Sequence, residues 1–268
     1  MKPKKMLVVS DLHCGHRSGL TPPAFNHSVD NDAPHHLKKQ YRMRRELWRW
    51  FASAVNMVGE VDYLLINGDC IEGKGAKSGG TELITSDRNE QVAITVKAVS
   101  MIKVKSKIFM TYGTPRHVGE EEDFEDTVAK SLEAAKIEGE GHYDLNGLQI
   151  AAKHYIGNSA SPISSMTALR GAQIKQLLWA THKQQPQANL IIRSHIHRCY
   201  GVSEPALNFQ GWVTPALQGL GSKYGIRQCD GLPVDFGILL VKVDNPNSWN
   251  VTPIIAPKAL EASEVLKL

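Results

Sequence analysis

The chain has 268 residues, of which 42% are hydrophobic and 22% are charged, and its formal net charge is +4. This composition is typical of a globular protein that is long enough to bury a substantial core. No apolar run approaches the ~20 residues that span a bilayer, so we expect no membrane association. The basic residues 1–5 precede an apolar run that is shorter than the ~7–15 residues of a secretory signal. We therefore expect a cytoplasmic protein in which residues 1–268 form a single domain.

The four cysteines are scattered and form no Cys-x-x-Cys pair: they are Cys14, Cys70, Cys199 and Cys229. Disulfides are rare in the cytosol, so we expect reduced thiols. Three of the four lie beside the Asp and His motifs described below. Proximity in sequence alone does not make them metal ligands.

Short apolar runs alternate with helical patterns through the first half of the chain. The runs cover residues 6–10, 62–67 and 108–112, and each is followed by Gly or Asp. Such runs suit buried strands of a sheet that is covered on both faces. Apolar residues at helical spacing predict a helix over 34–58 with Asp32 as its N-cap, and a second over 88–104 that begins after Asp87.

The second half has a different pattern. Asn146-Gly147, between the runs 143–145 and 148–152, is a strong signal for a hairpin with a type I′ turn. A helix is predicted over 165–183. Strands are predicted over 190–193, 212–214, 236–243 and 251–255. Strand–helix units followed by a mostly antiparallel half predict an α/β fold, namely a two-sheet β-sandwich flanked by helices.

Two connecting segments, residues 14–31 and 73–85, are longer than a compact domain needs. Loops of this length are usually functional or mobile. Both leave from the ends of predicted strands, and His16 and Arg17 on the first loop are secondary candidates for contact with a substrate. The acidic run 120–126 is interpreted differently, because acids at the start of a helix are favoured by the helix dipole.

Aspartate and histidine residues occur where the predicted strands end. In chain order they are Asp11, His13, Asp69, His154, His195 and His197. Any one of them alone is explained by a hydrogen-bonded or surface side chain. All of them together, in this order and at strand ends, are poorly explained by chance. They predict one site in which carboxylates and imidazoles meet.

Carboxylates and imidazoles together suit a site for two metals. Two divalent ions about 3.5–4 Å apart can hold the attacking and the leaving oxygen of a phosphate ester. A carboxylate has the charge and the two oxygens needed to bridge them, and neutral imidazoles complete each shell. Mixed His/Asp ligation favours Mn, Fe, Zn or Ni over Mg or Ca. We therefore expect two divalent metal ions as cofactors, and manganese is the favoured metal among these four.

The ordered motifs resemble those of the calcineurin-like metallophosphoesterases. The matching segments are Asp11-x-His13, Gly68-Asp69-Cys70-Ile71-Glu72, Gly113 to His117, His154 and His195-x-His197. The resemblance runs from the first strand to beyond Asp235 and so covers most of the chain. It implies a two-sheet α/β sandwich and the hydrolysis of phosphate esters by a metal-activated hydroxide.

The resemblance also implies a role for each residue at a matching position. The ligands would be Asp11, His13 and His197 for one metal and His154 and His195 for the other, with Asp69 bridging the two. His117 would contact the phosphate and assist the leaving group. Glu72 would support the ligands without contacting a metal itself.

The third motif departs from the family's pattern. The family usually has Gly-Asn-His and an acid, with the Asn as a metal ligand, whereas this chain has Gly113-Thr114-Pro115-Arg116-His117. Thr114 would then take the place of the Asn, through its hydroxyl or a water, as a weaker ligand of the second metal. His117 is displaced by two residues but stays on the same loop, and Arg116 could bind a phosphate through two hydrogen bonds. We predict His117 and Arg116 as catalytic residues.

Three functions remain open. The first is a phosphodiesterase acting on DNA or RNA, that is, a nuclease. The second is a phosphomonoesterase or a small-molecule phosphodiesterase, and the third is a non-catalytic metal-binding module. The net positive charge, the basic cluster 38–45 and the Gly- and Lys-rich loop 73–85 favour a polyanionic phosphate-ester substrate. The nearly complete ligand set disfavours the third function, because buried His/Asp clusters are costly without metal. The oligomeric state is not indicated.

Overall fold

A computed structural model describes residues 2–75, 78–118, 123–157, 162–220 and 233–257 of the chain. Within these ranges the side chains of Arg116, Val118 and residues 162–165 are not described. Cys229 and two positions of the loop 73–85 also lie outside the described residues.

The described residues form strands and helices in an alternating order through the first half. The strands are β1 (Lys4–Val9), β2 (Val61–Asn67), β3 (Val104–Thr111), β4 (Lys136–Glu138), β5 (Gly141–Leu145), β6 (Leu148–Ala152), β7 (Leu190–Arg193), β8 (Tyr200–Glu204), β9 (Phe209–Val213), β10 (Gly237–Asn245) and β11 (Ser248–Ile255). The helices are α1 (His35–Val58), α2 (Arg88–Val99), α3 (Pro115–Val118), α4 (Phe124–Ser131) and α5 (Pro162–Thr181).

The strands are arranged in two sheets. The first has the order β11-β10-β1-β2-β3-β4, in which β1 to β4 run parallel and β10 and β11 are antiparallel. The second has the order β5-β6-β7-β9-β8. Its central strands β6, β7 and β9 run parallel, and its outer strands are antiparallel to their neighbours.

Alternate side chains of β1 point to opposite faces of the first sheet. Met6 and Val8 belong to an apolar core between the two sheets. Leu7 and Val9 belong to a second core, which includes residues of α1, α2 and α4. Helix α5 packs on the second sheet, where Leu169 is buried. Both faces of the first sheet are therefore covered, which explains why its strands are continuous apolar runs.

The fold class predicted from the sequence, two sheets flanked by helices in an α/β arrangement, is confirmed. The hairpin is also confirmed, since Asn146 and Gly147 have φ of 52° and 87°, as a type I′ turn requires. Cys14, Cys70 and Cys199 are free thiols, as expected. Among the described residues, no helix is long and apolar enough to cross a bilayer.

Two helix predictions need correction. Asp32 is not the N-cap of α1, because the helix starts directly after Pro34, whose carbonyl accepts the N–H of Leu37 at 2.9 Å. Helix α2 ends at Val99, five residues before the predicted end, because Ser100 caps it and residues 100–103 turn the chain into β3, which begins at Val104. Its predicted start is confirmed, since the Asp87 carboxylate accepts the N–H of Asn89 at 2.8 Å.

Most strand pairs of the described second half are antiparallel, as expected, but the central strands of the second sheet are parallel. Helix α5 connects β6 to its parallel neighbour β7, and β8 with its flanking turns connects β7 to its parallel neighbour β9. Crossovers of this kind produce parallel pairs. The short strands β4 and β8 were not predicted from the sequence, because three to five residues carry too little periodicity.

Candidate metal centre

The residues predicted as ligands come directly after strands of both sheets. They are Asp11 and His13 after β1, Asp69 after β2, His154 after β6, and His195 and His197 after β7. In each sheet these strands run parallel, so their carboxyl ends lie at the same edge. Ligand sites of α/β proteins are commonly built at this edge.

Asp11, His13 and His197 form the first group of ligand atoms, all within 4.8 Å of one another. Nε2 of His197 lies 3.2 Å from Oδ1 of Asp11 and 3.2 Å from Nε2 of His13. Nε2 of His13 lies 4.0 Å from the same carboxylate oxygen. The three side chains therefore converge on one small volume, as the motifs predict for the first metal.

Asp69, His154 and His195 form the second group, again within 4.8 Å. Nε2 of His154 is 3.0 Å from Oδ2 of Asp69. The hydroxyl of Thr114 lies 3.1 Å from that oxygen, 3.4 Å from Nε2 of His154 and 3.2 Å from Nδ1 of His195. Thr114 thus occupies the place expected for a substitute of the missing Asn. That it ligates a metal remains a prediction.

The two groups are adjacent. Oδ1 of Asp11 is 3.9 Å from Nε2 of His154, and Oδ2 of Asp69 is 3.9 Å from Nε2 of His13. Each carboxylate therefore faces imidazoles of both groups. The other oxygen of Asp69, Oδ1, accepts the backbone N–H of Thr114 at 2.5 Å. Oδ2 is therefore the oxygen of Asp69 that faces imidazoles of both groups, and the bridging role of this residue stays a prediction.

Hydrogen bonds behind two of the rings orient their nitrogens toward the carboxylates. Nδ1 of His154 donates to the carbonyl of Asn67 at 2.7 Å, and Nδ1 of His13 donates to the Glu72 carboxylate at 2.7 Å. A carbonyl or a carboxylate accepts, so the hydrogen of each neutral ring is on Nδ1 and the lone pair of Nε2 points inward. Glu72 lies where the motifs place a supporting acid.

The buried carboxylates require positive partners. Oδ1 of Asp11 is buried without a hydrogen-bond partner. Burial raises the pKa of Asp11, but His197 and His154 outweigh it and hold this pKa below its usual range. Burial likewise lowers the pKa of His154, but the charges of Asp69 and Asp11 raise it to about 10. The carboxylates thus draw protons onto His154 and His197, whereas burial lowers the pKa of His13 and of His195. Divalent cations would supply the positive charge that the carboxylates require, so the donor set fits metal ions.

Most of the predicted ligands have a strained backbone. Those with φ in the left-handed region are Asp11 at 50°, His13 at 44°, Asp69 at 52°, His195 at 79° and His197 at 54°. Such a conformation costs of order 1–3 kcal/mol for a residue other than glycine. Hydrogen bonds between the ligand loops offset it, because the N–H of His13 donates to the carbonyl of Asp69 at 3.0 Å. Strain that the surrounding structure maintains in this way is typical of functional sites.

His117 lies on α3, beside the first group. Its Nδ1 donates to the main-chain carbonyl of Glu72 at 3.2 Å, and its ring meets that of His13 edge-to-face at 4.7 Å between centroids. The displaced histidine therefore stays next to the first group of candidate ligands, on the side of His13. The side chain of Arg116 lies outside the described residues, and its catalytic role stays a prediction.

Glu125 was missed by the sequence analysis, which attributed the acidic run 120–126 to a helix N-terminus. It lies in the first turn of α4 but is fully buried. Its carboxylate accepts the N–H of Cys70 at 2.9 Å and the N–H of Gly113 at 2.6 Å. Burial raises the pKa of Glu125 to about 7. The sequence carries no signal for this, because the helix dipole alone accounts for an acid at that position.

Asn67, the last residue of β2, was also missed. Its side-chain nitrogen donates to the hydroxyl of Ser194 at 2.6 Å, and its side-chain oxygen accepts the hydroxyl of Thr111 at 2.8 Å. It therefore joins β2, β3 and the segment after β7 beneath the ligands. A polar residue at the end of an apolar strand, directly before Gly68-Asp69, is the signal that could have revealed it.

The two long loops pair with each other near the site. The N–H of Arg17 donates to the carbonyl of Glu82 at 2.8 Å, and that of Ile84 donates to the carbonyl of Gly15 at 2.7 Å. His16 is buried, and its Nδ1 accepts the N–H of Ser18 at 3.0 Å. This histidine therefore stabilises the paired loops rather than standing open to a substrate.

The described residues form a two-sheet α/β fold with a His/Asp cluster at the ends of its strands. Three solved structures illustrate what the chain is similar to. Vps29 from Entamoeba histolytica with zinc has 14% identity, a TM-score of 0.43 and coverage of 94% of this chain and 98% of that chain. An archaeal phosphodiesterase has 13% identity and a TM-score of 0.42, with coverage of 93% of this chain and 99% of that chain. A predicted phosphoesterase from Streptococcus pneumoniae has 12% identity and a TM-score of 0.40, with coverage of 95% of this chain and 99% of that chain.

These identities and TM-scores carry no information about substrate or activity. No protein-family model matches the chain, and a search of curated proteins gives no significant match.

Proposed function

We propose that the chain is a phosphoester hydrolase that uses two divalent metal ions and acts preferentially on phosphodiesters, nucleic acids among them. The observation that carries this proposal is the pair of adjacent ligand groups, Asp11/His13/His197 and Asp69/His154/His195. Two adjacent cations can hold both the attacking and the leaving oxygen of an in-line displacement at phosphorus.

The residues around the metal centre have separate tasks in this proposal. Bound cations would supply Lewis acidity, which neutralises phosphate charge and makes water a better nucleophile. The carboxylate of Glu72 and the main-chain carbonyl of Asn67 orient His13 and His154 so that Nε2 of the neutral ring would face a bound cation. Nδ1 of His117 is engaged by a carbonyl, so Nε2 is the nitrogen available to give a proton to the leaving oxygen.

The preference for diesters rests on charge. The net charge of +4 favours a polyanion, and Arg42 and Arg45 of α1 are exposed. Arg44 from the same basic cluster is buried, and it donates to the side chain of Asn26 at 3.0 Å and to the carbonyl of Arg17 at 2.8 Å. This arginine holds the first long loop in place. The basic cluster 38–45 therefore has fewer exposed positive charges for a substrate than its sequence predicts.

Metal analysis combined with an activity screen tests the metal centre. The protein is stripped with a chelator, reloaded with Mn, Fe, Zn or Ni, and assayed on an aryl phosphate diester and the matching monoester. We expect chelation to abolish hydrolysis and manganese to restore it best. Asp69→Asn should lose metal and activity together, whereas Asp244→Asn, at an exposed position of β10, should keep both. Full hydrolysis by Asp69→Asn without bound metal would refute the proposal.

The substrate class is tested separately with single- and double-stranded DNA and RNA at rising salt. Binding through phosphate contacts predicts a log–log slope of about −0.7 to −0.9 per neutralised phosphate. Metal-dependent turnover of a monoester that is insensitive to salt, with no cleavage of nucleic acid under any metal, would identify a phosphomonoesterase instead.

A further inference from the structure

Tyr155 is an exposed aromatic residue next to the candidate metal centre. It directly follows His154, which is 2% exposed, and precedes Ile156, which is 4% exposed, while Tyr155 itself is 58% exposed. Because both neighbours are buried, the backbone presents this side chain outward from a packed segment.

The ring of Tyr155 lies against one of the predicted ligands. Its centroid is 5.0 Å from that of His195, with 41° between the ring planes. The ring of His195 in turn meets that of His154 at 5.4 Å. Tyr155 thus directly contacts a member of the second ligand group, and more than half of its surface is open to solvent.

Single exposed apolar side chains are common and usually need no explanation. The position of Tyr155 distinguishes it from the others. Among the described residues, the other exposed large hydrophobic side chains are Met57, Met166, Ile174, Leu178, Trp179, Leu207 and Ile255. None of these has a ring contact with a predicted ligand, whereas Tyr155 has one.

We propose that Tyr155 is a stacking platform for a flat ring of the substrate, and that the site therefore takes nucleotide esters whose base lies on Tyr155 while the phosphate lies at the ligand groups. This inference rests on the proposed function. A nucleotide has the required shape, because one sugar separates its phosphate from a planar base. Stacking on an aromatic ring accepts every base, since each has a π-face.

The test compares Tyr155→Leu, which keeps an apolar side chain, with Tyr155→Phe, which keeps a flat ring. Each is assayed with oligothymidylate and with an abasic oligonucleotide of the same length and charge. We expect Tyr155→Leu to raise KM on oligothymidylate by about 5- to 150-fold, the range for the ~1–3 kcal/mol of one stacked base. The abasic substrate should be unaffected, and Tyr155→Phe should resemble the parent on both.

A binding measurement separates this inference from the proposed function. Thymidine 5′-monophosphate and inorganic phosphate are titrated into the metal-loaded protein by calorimetry, which needs no turnover. Tyr155→Leu should weaken binding of the nucleotide by a similar factor and leave the affinity for phosphate unchanged. Equal weakening of both ligands would show that Tyr155 acts by orienting His195, and no weakening of either would show no role; both results overturn the inference. If no oligonucleotide is cleaved, the proposed substrate fails while this binding comparison still decides the role of Tyr155.

Discussion

The carboxylate of Glu125 accepts the backbone N–H of Gly113 at 2.6 Å. Its second oxygen accepts the N–H of Cys70 at 2.9 Å. One buried side chain therefore holds together the loop that carries Asp69 and the loop that carries Thr114. A side chain at Gly113 would overlap Asp69, so the two loops are also in direct contact at this point.

Glu125→Gln should weaken this connection. A carboxamide has one acceptor oxygen, so one of the two buried N–H groups would face an NH₂ group. A buried donor without a partner costs about 1–3 kcal/mol. We expect a loss of this order in the free energy of unfolding in urea, together with weaker binding of the second metal. Glu133→Gln, at an exposed position just after α4, is the control and should change neither. Unchanged stability and metal content in Glu125→Gln would contradict the role assigned to this residue.

Glu125 should also make the stability of the metal-free protein depend on pH. Burial, with the charge of Asp69, raises the pKa of Glu125 to about 7, above the ~4.3 of an unfolded chain. The folded state then binds the proton more tightly, so this group lowers stability as pH rises from about 4.3 to about 7.

Because Gln does not titrate, the stability of the parent relative to Glu125→Gln should fall across that window and level off above it. Urea unfolding at pH 5, 6, 7 and 8 with a chelator measures this difference, in which the other titrating groups largely cancel. A difference that grows with pH would show instead that the two N–H bonds keep the carboxylate ionised.

Thr114 should determine the affinity of the second metal. Its hydroxyl is within 3.4 Å of a ligand atom of each member of the second group. A neutral hydroxyl is a weak ligand, so we expect the second ion to be lost first during purification and activity to rise when metal is added. Thr114→Val keeps the shape without the hydroxyl and should weaken the second ion further, whereas Thr114→Ser should not. Metal content at graded free metal concentrations decides between them, and equal affinities in the parent and Thr114→Val would exclude the hydroxyl as a contributor.

His117→Ala should reduce turnover while leaving the metals in place. A positioned general acid contributes roughly 10²–10⁴-fold to the rate, and Nε2 of His117 is not engaged by the carbonyl that holds Nδ1. We expect kcat to fall by that factor with unchanged metal content, and His182→Ala, at an exposed position after α5, to behave as the parent. The ligand atoms of His117 also lie within 4.8 Å of those of His13 and Glu72. Loss of metal from His117→Ala would therefore show that the histidine is a ligand that replaces the missing Asn.

Much of the candidate metal centre could be predicted from the sequence because its residues follow local signals. An apolar run that stops at Asp11, or at Gly68-Asp69, predicts both the strand and the polar residue at its end. The hairpin at Asn146-Gly147 depends on the backbone preferences of those two residues. The same local information predicted two sheets covered by helices.

Other features were decided only by the tertiary structure. The parallel pairing of β6, β7 and β9 depends on which distant segments meet, and single-strand periodicity contains no such information. The sequence analysis attributed Glu125 to a helix N-terminus and counted Arg44 in a basic cluster that favours a polyanion, yet both side chains are buried and bind loops far away in sequence. Burial of a charged group depends on partners far away in sequence, and a local pattern records the residue but not its partners.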